Sequence, residues 1–235
     1  MGLPHPPRLE GASLLVSVVL SQEAPASMSA RAGALMASLG ERVCAEGGVL
    51  VVGGHPAVTP PLHRLVAEGV IPAASVRLFV LRHFDGAPPL EAHDASVFVD
   101  RTVIGGGTAP GTPGFERDLA ALREAMAQAS NAALFVGGQT EGSLGREPGL
   151  SAEWRAFRSH NPGGPAFVAG LLGGLAASVL GPEVQSGRRS DETQLTDLQR
   201  AGLLRESEPT RVVEIVSGQL ELLRPGLRPV GAERP

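Results

Sequence analysis

The chain has 235 residues, 43% of them hydrophobic, a net charge of −4 and a mean hydropathy of +0.09, the profile of a globular protein long enough to bury a sizeable core. All 20 cationic residues are arginine and tyrosine is absent, which excludes a Walker A phosphate loop, Schiff-base catalysis and tyrosine-based hydride transfer. A pI near 5.9 argues against a nucleic-acid-binding surface, and the single Cys44 with six scattered histidines gives no disulfide or metal-ligand pattern, so no metal and no cofactor are expected.

At the amino terminus, MGLPHPPRLEGAS carries prolines and a glutamate where a secretory signal needs a basic start and a long apolar core. LLVSVVL, Leu14 to Leu20, is far shorter than the roughly 20 apolar residues of a membrane span, so it reads as a strand in a cytoplasmic protein without membrane contact. Met28, Ala32, Leu35, Met36, Leu39 and Val43 then recur at helical spacing, with Gly47 and Gly48 placed to end that helix and Cys44 on its apolar side as a packing residue. Val49 to Gly53 is the second strand, followed by Gly54, His55, Pro56 and a helix from Thr59 or Pro60 to Glu68. Val76 to Leu81 and Ser96 to Ile104 are the next strands.

Thr112 to Ser130 is a second amphipathic helix with Phe115, Leu119, Leu122 and Met126 on one stripe. Thr112 serves as its N-cap, Pro113 falls in its first turn and Glu116 lies near its positive end. Strands follow at Ala132 to Gly137 and Pro165 to Ala169, with a helix between them in GLSAEWRAF. Ser151 fits its N-cap, Glu153 its first turn, and Trp154 and Phe157 its core side. Continuous apolar strands alternating with helices predict a Rossmann-like α/β fold, a mainly parallel sheet with helices on both faces. AFVAGLLGGLAASVL, Ala166 to Leu180, has glycines that permit close helix approach. It reads as core, with a homo-oligomer surface as the alternative.

Past residue 182 the composition changes, and the expected organisation is one nucleotide-binding domain over 12–182 with an extension over 183–235. In that extension GPEVQSGRRSDETQ reads as a linker or exposed loop, Asp191 to Leu204 as a short helix, TRVVEIVSGQLELLRP as a last helix or strand, and GLRPVGAERP as a disordered tail.

In open parallel sheets ligands bind beyond the carboxyl ends of the strands. Two stretches stand there. VVGGHPAVTP lets a ligand's phosphates approach the bare main chain of Gly53 and Gly54 beside His55. LFVGGQTEG presents Gly137, Gly138, Gln139, Thr140 and Gly142 in a second loop, with Glu141 inside it and Glu153 beyond. Each could equally be a glycine turn joining a strand to a helix.

VVGGHPAVTPPLHRLV together with ALFVGGQTEGSLGREPGLSAEWRAF resembles the SLOG superfamily, the Rossmann-like domains that include the Smf/DprA and LOG proteins, in its bacterial form with a G-G-H-P turn. The resemblance covers residues 12–180. It implies a small-molecule nucleotide or ADP-ribose-like, NAD-derived ligand held by Gly53, Gly54, His55, Gly137, Gly138 and Gly142, and a sensor role in bacterial stress or anti-phage signalling. It also implies an alternative, a LOG-type nucleoside N-glycosidase or phosphoribohydrolase with Glu153 or Glu141 as catalytic carboxylate; a non-catalytic scaffold is the third reading. LOG enzymes carry P-G-G-x-G-T-x-x-E, whereas here an insertion separates Gly142 from Glu153. The arginine that accompanies that motif is open among Arg146, Arg155 and Arg158.

Overall fold

The structure, a computed structural model, describes residues 8–20, 24–85, 97–139 and 147–227. Six strands, β1 (Ser13–Val19), β2 (Val49–Gly53), β3 (Val76–Leu81), β4 (Asp100–Ile104), β5 (Ala132–Gly137) and β6 (Ala166–Ala169), form one sheet in the order β4-β3-β2-β1-β5-β6. Every pairing is parallel, as the unbroken apolar runs predict, because strands covered on both faces have no water-facing side to make polar. The chain winds outward from β1 to β4 and then returns to the other side of β1 with β5. With right-handed crossovers, that reversal puts the helices before and after it on opposite faces. Accordingly α1 (Ala26–Leu39) and α2 (Thr59–Ala67) pack together on one face, and α3 (Pro113–Gln128) and α4 (Gly149–His160) on the other.

Local sequence sets the element ends. A π-helical turn, Gly40–Cys44, continues α1, and Gly47 at φ +84° ends it. Gly40 is where α1 and α2 meet closely, since a Cβ there would lie 2.7 Å from Leu65 Cδ1. The Thr112 hydroxyl accepts from the Phe115 N–H at 3.2 Å and Pro113 opens α3, as predicted. Cys44 is buried, and burial pushes its thiol up to about 11, so it stays an inert packing residue.

Two expectations are corrected. β4 starts at Asp100, not Ser96, because it is the last strand of the order and its ladder to β3 begins at the Arg77–Asp100 pair, while Phe98 turns into the core and Val99 into solvent. α4 begins at Gly149 behind Pro148, whose ψ of 128° leaves it outside the helix as the N-cap, so Ser151 lies inside the helix and Glu153 in its second turn. Ala166 to Leu180 is core, as read: β6, a glycine turn and a π-helical segment (Ala176–Leu180). Most of its apolar surface is thereby used internally.

The segment after residue 180 is ordered. α5 (Gly181–Gln185) opens the stretch expected as a linker, and Asp191 is then buried, its carboxylate bridged by Arg200 Nε and Nη2 at 2.7 and 3.1 Å. The Asp191 carbonyl accepts the Ala166 N–H at 2.7 Å, so this segment covers the free edge of β6. Thr196 and Gln199 form a capping box that starts α6 (Asp197–Arg205) later than expected. α7 (Pro209–Leu223) packs on α1, and its Val212, Val213, Val216 and Leu220 join Leu195 and Leu203 in the same cluster as β1, β2 and α1. Most of the expected disordered tail, 228–235, lies outside the described residues.

Candidate ligand-binding cleft

Where the winding reverses, the connections leaving the paired carboxyl ends of β1 and β5 run to opposite faces of the sheet, and a crevice opens that parallel sheets use for ligands. Here it is a cavity of about 160 Å³ floored by Val16–Val19 of β1 and walled by the Gly53–His55 turn, Phe79, Leu81 and Phe84, α3 and the start of α4. Its lining combines apolar groups, among them Phe79, Phe84, Leu122 and Met126, with the polar Ser17, Arg123, Gln139, Glu147 and Glu153.

The Gly-Gly-His-Pro turn borders the cleft but differs from the expected phosphate cradle. The Gly54 N–H donates to Phe79 O at 2.9 Å, His55 N–H to Gly53 O at 2.9 Å, Ala57 N–H to His55 Nδ1 at 3.1 Å, and Val58 and Thr59 N–H to His55 O at 2.9 and 3.0 Å. Pro56, Pro60 and Pro61 have no N–H to give. From Gly54 to Pro61 every main-chain donor is therefore spent or missing, and neither Gly53 nor Gly54 adopts a positive φ. His55 is half-buried, which pushes its imidazole pKa down, and an Nδ1 that accepts a hydrogen bond puts the proton of the neutral ring on Nε2.

The second glycine pair has a different function. Gly137 and Gly138 do not border the cleft; they adopt φ +76° and +91°, and a Cβ on Gly137 would fall 2.6 Å from Val19 O. The Gly138 N–H bonds Val19 O at 2.8 Å and its carbonyl accepts the Leu175 N–H at 2.9 Å, with Gly174 pressed against it. They are glycines because backbones meet there. Gln139 borders the cleft, while Thr140, Glu141, Gly142 and Arg146 lie outside the described residues.

Glu153 does reach the cleft despite the insertion that precedes it. Helical spacing puts it one turn from the buried Leu150 and Phe157, on the face of α4 that meets β1. Burial pushes its carboxyl above the usual range; the neighbouring Ser17 hydroxyl and the Arg123 guanidinium pull it back without cancelling the shift. Among the described residues, Arg123 is the cationic group of the cleft. Its Nε is buried without a hydrogen-bond partner, and desolvation lowers its pKa against the opposing charge of Glu153. Arg155 instead bonds Glu147, and Arg158 donates to Gly164 O at 2.6 Å and Ser190 O at 2.8 Å while lying over the Trp154 ring. Trp154 and Phe157 are core residues, stacked about Phe135.

Residues 33–207 match the SLOG cluster3 family. The chain belongs to that family. The match runs from α1 through the end of α6, and so includes both glycine turns, α3 and α4. No curated protein matches the chain. In this SLOG domain, sequence reasoning located the Gly53–His55 wall and Glu153 but passed over Arg123 and Ser17. Both carried a signal: Arg123 stands four residues from Leu119 and three from Met126 on the apolar stripe of α3, and Ser17 interrupts an otherwise apolar strand.

Proposed function

We propose that the cleft binds a nucleotide-derived small molecule, of the ADP-ribose or NAD-derived class, and that the domain acts as a sensor of it. The observation that carries this reading is the buried Arg123 Nε without a partner in a crevice at the reversal point of the sheet, a crevice also lined by the apolar Phe79, Phe84 and Met126. A guanidinium supplies the charge-assisted bonds a phosphate requires, and an apolar aromatic wall suits the face of a base. Glu153 then accepts from, or donates to, ribose hydroxyls between the two.

The test is thermal shift with AMP, NAD and ADP-ribose. A ligand at one hundred times its dissociation constant stabilises the native state by about 2.7 kcal/mol. At least one of the three is expected to raise Tm in the native chain and to lose most of that effect in Arg123→Gln, since a hydrogen bond to a charged group contributes about 1.5–3 kcal/mol. No shift with any of them contradicts the reading.

A second reading, N-glycosidic hydrolysis, is favoured by the raised carboxyl of Glu153, because a carboxyl biased toward its protonated form can hand a proton to a departing base while water adds at the anomeric carbon. Chromatography of AMP, NAD and ADP-ribose after incubation separates the two. Released base that falls about a hundredfold or more in Glu153→Gln marks an enzyme. Intact ligand with retained binding marks the sensor.

A further inference from the structure

Two serines of β1 share one face and differ in what they do. Ser13 donates its hydroxyl to Ala129 O at 2.6 Å. Ser17, two pleat repeats further and 2% exposed, borders the cleft with Glu153 and has no hydrogen-bond partner of ordinary geometry. Packing alone gives no reason to keep a buried hydroxyl unmatched in an apolar strand, where alanine or valine would fit. The other charged or titratable groups bordering the cleft, among the described residues, are Arg123 from α3, Glu147 ahead of α4 and His55 after β2. Glu147 is engaged by Arg155, and His55 accepts the Ala57 N–H. Glu116 and Arg155 act on Arg123 through their charge.

We propose that Ser17 is a positioning residue for Glu153, holding its carboxyl while an anionic ligand group takes Arg123, so that ligand binding carries one proton from solvent to Glu153. The inference rests on the ligand reading above and deepens it. In the free protein Glu153 shares the field of Arg123. An anion on that guanidinium neutralises it and adds a negative charge nearby, and both changes favour the neutral carboxyl. Protonated, Glu153 has a hydrogen to donate to the ligand and keeps an oxygen to accept from Ser17. Affinity for an anion of fixed charge then falls as pH rises, by at most about tenfold per pH unit for one linked proton. Removing the hydroxyl takes away a donor that favours the ionised form, so Ser17→Ala moves the transition to higher pH; Ser17→Thr keeps the hydroxyl and restores it.

The experiment follows the glutamate carboxyl carbons by NMR against pH in the full-length native chain, Ser17→Ala and Ser17→Thr, with Glu153→Gln identifying the resonance. Calorimetry then measures ADP-ribose binding in buffers of different ionisation enthalpy to count protons, the pyrophosphate of this probe keeping its charge throughout. The expected result is a midpoint above the ordinary glutamate range, higher in Ser17→Ala, restored in Ser17→Thr, and uptake of one proton on binding that vanishes in Glu153→Gln. An unchanged midpoint in Ser17→Ala, or binding without proton uptake, overturns the proposal. If the midpoints follow the expected order while AMP, NAD and ADP-ribose all fail to bind, the positioning role of Ser17 stands and the ligand reading is what fails.

Discussion

Two glycine pairs end two buried strands, and substitution separates their functions. A Cβ on Gly53 would meet only Met126 at 3.8 Å, an ordinary contact, so Gly53→Val fills the cleft with little damage to the fold. Ligand affinity is expected to drop more than tenfold by calorimetry, with Tm nearly native. Gly137→Ala puts a side chain at φ +76° against Val19 O, and chemical denaturation is expected to report a loss of roughly 1–3 kcal/mol or more. His55 supplies a third contrast. Its ring caps the turn through Ala57, and His55→Ala is expected to lower stability by about 1 kcal/mol. Because its folded pKa is depressed, the native state disfavours the proton: the stability His55 contributes is present above the ordinary histidine value and lost as pH falls below it. A neutral Nε2–H donor also means that the variant weakens ligand binding equally at pH 6 and pH 8. The sequence made His55 and Gly53 visible because glycine, proline and histidine stand out at a strand end. Arg123 is obscured by its type, since an arginine on a helix reads as solvated until the neighbouring strands show that it points inward.

Among the elements, the strands were the most legible. Three of them, Val49–Gly53, Val76–Leu81 and Ala132–Gly137, coincide with their apolar runs, because a strand buried on both faces and bounded by turn residues leaves no other interpretation. Helix starts were less so where proline rather than a capping side chain sets them, as at Pro148. The polar stretch after residue 180 misleads for a different reason: its order comes from an ion pair spanning nine residues, Asp191 with Arg200, and from edge bonds to β6 that no local pattern encodes. Burial raises the Asp191 carboxyl, but the Arg200 and Thr193 bonds outweigh it and hold the group below the usual range. This stabilisation is present above the ordinary aspartate value and lost as pH falls through the lowered one. α7 can be tested in the same spirit. Val216 and Leu220 are fully buried against α1, so Leu220→Ala is expected to cost about 2–5 kcal/mol in denaturant unfolding. A near-neutral result would mean that α7 is an appendage and not part of the core.

At the scale of the molecule, the order β4-β3-β2-β1-β5-β6 creates the crevice, and the family match across 33–207 covers most of the elements around it. The cleft also leaves a mark on global stability. Glu153 is more readily protonated in the folded than in the unfolded chain, so native stability falls as pH rises from the ordinary glutamate value through the raised one. The Tm of Glu153→Gln relative to native should therefore improve steadily across that window; a constant difference would show that Glu153 titrates normally. The central claim is that this crevice, and not another surface, receives a nucleotide-derived ligand, and amide chemical-shift mapping during an ADP-ribose titration of the native chain tests it most directly. The expected result is saturable shifts centred on Ser17, the Gly53–His55 turn, Arg123 and the start of α4, all absent in Gly53→Val. Saturable shifts centred on Arg158 and Arg189 with the cleft unmoved, or no shifts at millimolar ligand, would contradict it.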